Sequence, residues 1–227
     1  MRDWDHFIKQ TPLFLKPDEI ATVGEEKPWS RSPVGGLPRL SALLTSATLT
    51  PVSVSDMEYE LLAWGPPSAR QGWLCHPPPA ASPGHVHPIH SNFWSVCGGI
   101  VERFGEEDNS ESEGQDWWLN QNEILTVTAS QVSVSEPLDA YSWIWEEWGL
   151  TIPITPEDYY VVAVEANANL TLVHRESGEL ILFAPDHAFE GVTILPGCPD
   201  RSLFIIDKIP DLASWIEDCV QKSFTQH

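Results

Sequence analysis

The chain has 227 residues, 42% of them hydrophobic, so it is long enough to bury a core and is not disordered as a whole. Its net charge is −21 at pH 7, from 33 acidic against 12 basic residues. Because phosphate binding needs clustered lysine and arginine, this balance excludes nucleic acid and an anionic membrane surface as expected partners. It favours a basic protein partner, with charge kept only for solubility as the alternative.

The four cysteines, Cys75, Cys97, Cys198 and Cys219, are widely spaced and include no CxxC pair. This spacing predicts reduced thiols and argues against a disulfide framework or a cysteine-based zinc site. The N-terminus is polar and lacks the apolar stretch of a secretory signal, and no apolar run is long enough to span a membrane. We therefore expect a cytoplasmic protein.

Residues 1–85 are predicted to form a proline-rich N-terminal region that either packs on the core or forms a separate module. Within it, apolar residues from Leu40 to Ala47 indicate one short helix, and Met57 to Trp64 indicate a strand. The prolines between Pro77 and Pro83 predict a loop or linker.

Residues 86–227 are predicted to form a second region, with more regular patterns. Ile89 to Cys97 follow helical spacing, and Gly98-Gly99 ends that helix. Ile100 to Phe104, Trp117 to Leu119 and Ile124 to Val127 are predicted strands. An acidic polar stretch between the first two of these strands cannot bury itself and is predicted to be an exposed loop.

A helix is predicted after Ser135, its candidate N-cap, and Gly149 is expected to end it. One face of this helix carries Leu138, Tyr141, Trp145 and Trp148. We expect Trp145 and Trp148 to lie in the core, as we do Trp215 on the last helix.

The clearest pattern is a three-stranded antiparallel meander, formed by Tyr159 to Val164, Leu170 to His174 and Leu180 to Ala184. After it, Asp211 is expected to cap an amphipathic helix whose apolar face carries Leu212, Trp215, Ile216, Cys219 and Val220. The order of elements predicts an α+β fold with a mostly antiparallel sheet packed against helices.

Histidines offer one candidate for chemistry, in the pattern His85-x-His87-x-x-His90. Zinc needs three or four such ligands, but this spacing matches no usual finger pattern, and the competing interpretation is a set of exposed histidines with His90 near a helix start. Asp186-His187 is a possible acid–histidine pair, for which the competing interpretation is a turn at a strand end. No nucleophile motif accompanies it, so no catalytic residue, metal or cofactor is expected.

Acidic residues define the candidate partner-binding site. Those in the predicted loop and just after it are Glu106, Glu107, Asp108, Glu111, Glu113 and Asp116. Trp143 lies off the apolar face of its helix, beside Glu146 and Glu147. An exposed tryptophan among acids suits a partner rich in lysine and arginine, through cation–π and charge contacts. The competing interpretation is a solvated helix face.

Several of these motifs together resemble the SUKH superfamily. They are the helix ending at Gly98-Gly99, the strand L-T-L-V-H-R from Leu170, the turn E-S-G-E, the strand ending in A-P-D-H at His187, and the final helix. The resemblance covers roughly residues 86 to 222. The chain departs from the family pattern where the turn glycines are replaced by Asn167-Ala168-Asn169, and residues 1–85 have no counterpart.

This resemblance implies an α+β fold and a non-enzymatic role. Many SUKH members are immunity proteins that neutralise toxins, and fungal relatives regulate cell-wall synthesis. We therefore expect an immunity protein whose acidic surface binds a basic, nuclease-type toxin. A regulatory scaffold or adaptor is the second interpretation, favoured by the long proline-rich region. A metal protein or enzyme that uses His85, His87, His90 or His187 is the third. The oligomeric state is left open.

Overall fold

The computed structural model describes residues 1–81, 84–105, 123–165, 169–185 and 189–222. It contains two antiparallel sheets and several helices, which confirms the predicted α+β fold. The helices are α1 (Asp3–Gln10), α2 (Pro38–Thr45), α3 (Pro88–Trp94), α4 (Val127–Ser130), α5 (Ser135–Ala140), α6 (Trp143–Glu147) and α7 (Leu212–Lys222). Within the described ranges, no helix combines the length and the apolar character needed to cross a bilayer.

The first sheet has its strands in the order β1-β3-β4-β5-β6, with β2 paired to β3. The strands are β1 (Ala21–Val23), β2 (Lys27–Pro28), β3 (Thr48–Val54), β4 (Met57–Trp64), β5 (Gln71–Cys75) and β6 (Ile100–Phe104). The predicted helix around Leu40 and the predicted strands β4 and β6 are confirmed. Strand β6 lies beyond residue 85 but is hydrogen-bonded to β5, so this sheet uses chain from both predicted regions.

The second sheet has the order β10-β11-β9-β8-β7 and contains the predicted meander. Its strands are β7 (Tyr159–Val164), β8 (Leu170–His174), β9 (Leu180–Phe183), β10 (Val192–Ile194) and β11 (Leu203–Ile206). Helix α7 follows, and the Asp211 side chain accepts a hydrogen bond from the Ser214 backbone N–H at 2.8 Å, which confirms the predicted cap.

The second sheet is covered on both faces, which explains why β7 is apolar along its whole length. Tyr160 and Val162 point into the largest apolar cluster, which also holds Trp73 of the first sheet and Trp215 of α7. Tyr159 and Val161 point the other way, into a cluster closed by residues of α4, α5 and α6. The outer face of the first sheet is covered by Trp4 and Phe7 of α1.

Two predicted elements around residues 124–148 are wrong. Ile124 makes only an isolated bridge to Ile100, and Val127 begins helix α4, because the Thr126 hydroxyl caps it by accepting from the Ala129 N–H at 3.0 Å. The single helix predicted after Ser135 is broken into α5 and α6. The predicted strand at Trp117 to Leu119 lies outside the described residues.

Candidate functional site

Four large apolar side chains lie exposed within ten consecutive positions around α6. Trp148 is 69% exposed and Trp143 is 51% exposed, with Tyr141 at 36% and Leu150 at 38%. We call these four residues the aromatic ridge. Single exposed apolar residues are common, whereas four exposed large apolar side chains so close together in the sequence are a candidate interaction site.

The ridge is exposed because α6 buries its opposite face. Ile144 and Trp145 are 8% and 1% exposed and pack in the cluster beneath the outer face of the second sheet. Tyr141 is also in edge-on contact with Phe183 of β9, with ring centroids 5.8 Å apart. The ridge is therefore carried by a helix that is fixed to the sheet.

The C-terminal end of α6 is closed by a Schellman motif. The Gly149 N–H donates to the Glu146 carbonyl at 3.0 Å, and the Leu150 N–H donates to the Trp145 carbonyl at 2.9 Å. Gly149 has a φ of +66°, the left-handed conformation that this motif requires. As a result, Trp148 is the last residue before the turn, and its side chain points to solvent.

The expectation that Trp148 lies in the core is wrong, whereas Trp145 and Trp215 are buried as expected. The helical face from Leu138 to Trp148 would be continuous only in one straight helix. Helix α5 ends at Ala140 and α6 ends at Glu147, which leaves Trp148 at the C-cap of α6, directly before the left-handed Gly149. Trp148 therefore joins Trp143 on the surface.

The surroundings of the ridge are acidic. Glu146 and Glu147 are exposed on α6, and Glu136 and Asp139 are exposed on α5. None of these four carboxylates forms a salt bridge with any residue that the structure describes. The Ser142 hydroxyl donates to one oxygen of Glu146 at 3.2 Å.

Apart from histidine, the ionisable side chains over a long stretch of sequence here are acidic or tyrosine, with no lysine or arginine. No lysine or arginine occurs between Arg103 and Arg175, while fourteen aspartates and glutamates do. Of the sequence-predicted site residues, the structure places Trp143, Glu146 and Glu147 together on α6. The predicted loop residues Glu106, Glu107, Asp108, Glu111, Glu113 and Asp116 lie outside the described residues.

His90 is a fully buried residue rather than an exposed one. Its Nε2 lies 3.1 Å from the Leu125 carbonyl, and its Nδ1 lies 3.3 Å from the Tyr160 hydroxyl. Since a carbonyl can only accept, Nε2 carries the proton and Nδ1 accepts from Tyr160. Burial lowers the pKa of His90 to about 4 and raises the pKa of Tyr160, so both groups are neutral at pH 7.

The other two histidines of the cluster join α3 to the second sheet. His87 caps α3 through its ring Nδ1, which accepts from the Ile89 backbone N–H at 3.4 Å. The backbone N–H of His87 donates to the Tyr160 hydroxyl at 3.3 Å. Arg175 donates to the His85 carbonyl and lies over the Tyr160 ring at 5.3 Å. Burial lowers the pKa of His87. These contacts are structural.

The candidate metal ligands do not come together in the part of the chain that the structure describes. There, no group of three or more histidine, cysteine, aspartate or glutamate residues is arranged to hold a metal ion. Asp186 and His187, the candidate acid–histidine pair, lie outside the described residues. An open groove of about 490 Å³ lies between α2 and α7, lined in part by Arg39, Lys208 and Glu217.

Glu217 in this groove already has a structural role. Its two carboxylate oxygens accept from the Arg39 and Leu40 backbone N–H groups at 2.8 and 3.1 Å, so the carboxylate caps the N-terminus of α2. The aromatic ridge and its carboxylates thus remain the arrangement best suited to contact another molecule.

Comparisons with known proteins give no relative for this chain. No family model matches the sequence, and neither the curated proteins nor the solved structures give a significant match. The resemblance to the SUKH superfamily therefore stays a hypothesis based on the order of the sequence motifs.

Proposed function

We propose that this chain is a non-enzymatic protein-binding domain that captures a basic partner. The observation that carries the proposal is the aromatic ridge, because it lies among exposed carboxylates that form no salt bridge within the described part of the chain, in a stretch of sequence that has no lysine or arginine. Protein interfaces are enriched in tryptophan and tyrosine at their centres and use charge to select and attract the partner.

The chemistry of this surface argues for a protein over other ligands. Nucleic acid and anionic lipid both carry negative charge, which Glu146, Glu147 and the net charge of −21 repel. A small-molecule site needs a concave pocket that surrounds its ligand, whereas the ridge projects from α6. A positively charged protein surface satisfies both the carboxylates and the indole rings.

The SUKH resemblance suggests a more specific role, that of a cytoplasmic immunity protein that neutralises a toxin. Nuclease toxins carry basic surfaces in order to bind nucleic acid, and an acidic protein can occupy such a surface by imitating the charge of the substrate. On this proposal, the loop acids from Glu106 to Asp116 add to the attraction generated around the ridge.

A salt-stepped pull-down from the native host tests the proposal, with the purified full-length protein as bait. We expect one dominant partner with a high isoelectric point, retained at low salt and released at high salt. Co-expression should then abolish any toxicity of that partner. Glutamine or asparagine substitutions of the loop acids Glu106, Glu107, Asp108, Glu111 and Glu113 should reduce the salt dependence.

Two results would contradict the immunity role. Capture of several weak partners with no toxic activity would favour the scaffold or adaptor interpretation. Retention of a neutral or acidic partner that salt does not release would remove the electrostatic basis of the proposal.

A further inference from the structure

We propose that the aromatic ridge recognises arginine side chains of the partner, with a guanidinium group that stacks on Trp143 and donates hydrogen bonds to Glu146 or Glu147, and with Trp148 as a second exposed indole for the same partner. This inference rests on the proposed capture of a basic protein and adds the site and the residue type that the site selects. It assigns the contact to α6 rather than to net charge spread over the whole molecule.

The first step of the argument is the spacing of the side chains on α6. Glu146 and Glu147 follow Trp143 by three and four positions, and side chains at these spacings are neighbours on a helix surface. A cation that stacks on the Trp143 indole therefore lies within reach of both carboxylates. Ser142 occupies one oxygen of Glu146, while both oxygens of Glu147 have no hydrogen-bond donor among the described residues.

The second step concerns the choice between arginine and lysine. A guanidinium is planar, weakly hydrated and carries five N–H donors, so it can stack flat on an indole while it donates to a carboxylate at its edge. A lysine ammonium is a compact, strongly hydrated charge and gains less from the same surface. Two exposed tryptophans beside two carboxylates therefore favour arginine.

The third step is that the surface is held in place before binding. Burial of Trp145 and Ile144, the Schellman motif at Gly149 and the contact of Tyr141 with Phe183 fix the backbone under the ridge. Tryptophan itself has few rotatable bonds, so little conformational entropy is lost on contact.

The occupant is a basic partner and not a second copy of this chain. A two-fold contact through the ridge would bring the same surface patch of both copies together. Glu136, Asp139, Glu146 and Glu147 of one copy would then face the same four carboxylates of the other. Like charges at an interface repel strongly, which disfavours self-association.

Fluorescence anisotropy with two labelled peptides tests the inference on the full-length protein. The peptides have the same length and net charge, and one carries arginine wherever the other carries lysine. The W143A/W148A variant removes the indoles, and E146Q/E147Q removes the carboxylates. Matched controls are L13A, at a residue 93% exposed away from the ridge, and E25Q/E190Q, which removes the same charge elsewhere.

We expect the arginine peptide to bind more tightly than the lysine peptide at equal salt. W143A/W148A should weaken binding of the arginine peptide by about tenfold, since each indole contributes a cation–π contact. W143F/W148F should restore part of the loss because phenylalanine keeps an aromatic face. E146Q/E147Q should weaken binding more than E25Q/E190Q does. An unchanged urea midpoint in W143A/W148A shows that the fold is intact.

The possible failures are distinguishable. If both peptides bind equally and W143A/W148A changes nothing, the ridge is not the site and the inference is wrong, while salt-sensitive binding still supports capture of a basic partner. If neither peptide binds at low salt, the proposed function fails together with the inference.

Discussion

His90 makes the stability of this protein depend on pH in a predictable direction. The residue lies on α3, completely buried against Leu125 and Tyr160, and burial lowers its pKa in the folded state from 6.5 to about 4. In the unfolded chain His90 takes up its proton near pH 6.5, whereas in the folded protein it stays neutral until about pH 4. The unfolded state therefore binds more protons in this window, and the free energy of unfolding must fall as the pH falls.

The size of this effect follows from the difference between the two pKa values. Each tenfold difference in proton affinity between the folded and unfolded states corresponds to about 1.4 kcal/mol, so the full loss is about 3 kcal/mol once the pH is below the folded pKa. Between about pH 7.5 and about pH 5 the expected loss is roughly 2 kcal/mol. A typical domain has a total stability of about 5–15 kcal/mol, so the change is readily measured.

Urea unfolding of the wild type and of H90Q at several pH values isolates this contribution. Glutamine can still donate to the Leu125 carbonyl and accept from Tyr160, but it does not titrate. H90Q should be less stable at neutral pH because of its imperfect fit. The stability difference between the two proteins should shrink by roughly 2 kcal/mol as the pH is lowered to about 5. Because both proteins share His76, His87 and the many carboxylates, the difference between their free energies of unfolding largely cancels the titration of these groups.

A stability difference between wild type and H90Q that stays constant over this pH range would refute the reasoning. It would mean that His90 has the same pKa in the folded and unfolded states. The pKa of His90 measured by NMR provides an independent control, since a value near 6.5 would contradict the buried, neutral imidazole seen between Leu125 and Tyr160.

Five further substitutions test the region around the ridge and the contact between α2 and α7. W145A should cost about 3–5 kcal/mol of stability because it empties a buried site, whereas W148A, three residues away, should cost less than about 0.5 kcal/mol, as measured by urea unfolding. G149A should lower the free energy of unfolding by about 1 kcal/mol, because alanine is strained at the φ of +66° found at this position. No atom lies within 4 Å of the added methyl group, so the backbone strain is the whole effect. An unchanged urea midpoint would contradict the Schellman geometry. E217A should lower the free energy of unfolding by about 1–2 kcal/mol, because it removes the carboxylate that caps α2. E217Q should lower it less, because glutamine keeps one oxygen acceptor. Equal losses for the two variants in thermal melts would argue against the cap.

The elements that the sequence predicts correctly are those whose apolar pattern is local. Strands β7, β8 and β9 are short apolar runs separated by turn residues, and α7 has a complete apolar face preceded by the Asp211 cap. For such segments the neighbouring residues are enough to indicate the structure.

Strand β5 shows why the proline-rich half is harder to interpret from sequence. Its second residue, Gly72, has little strand preference, and three prolines follow the strand closely. In the sheet, a Cβ at this position would lie 2.0 Å from the Leu62 carbonyl oxygen and 2.7 Å from the Phe104 ring. The glycine is needed because the neighbouring strands β4 and β6 approach closely, and β6 is distant in sequence, so local pattern does not reveal the requirement.

The candidate site is predictable in part for the same reason. The position of Trp143 off the apolar face of α6 predicts its exposure, and the neighbouring glutamates are visible beside it in the sequence. Helical spacing does not predict the exposure of Trp148, because it places this C-cap residue of α6 on the same face as the buried Trp145. Gly149 is a stop signal in the sequence, and the structure adds that its left-handed conformation closes α6 with a Schellman motif directly after Trp148.

The negative charge and the exposed ridge depend on one another. A group of exposed aromatic residues on a neutral protein would promote association between copies, because burying it removes apolar surface from water. A net charge of −21, with Glu146 and Glu147 on α6, opposes that association, and on the proposed function it leaves the indoles free for a partner of opposite charge. On the proposed function, the carboxylates and the exposed tryptophans around α6 together disfavour self-association and favour binding to arginine side chains.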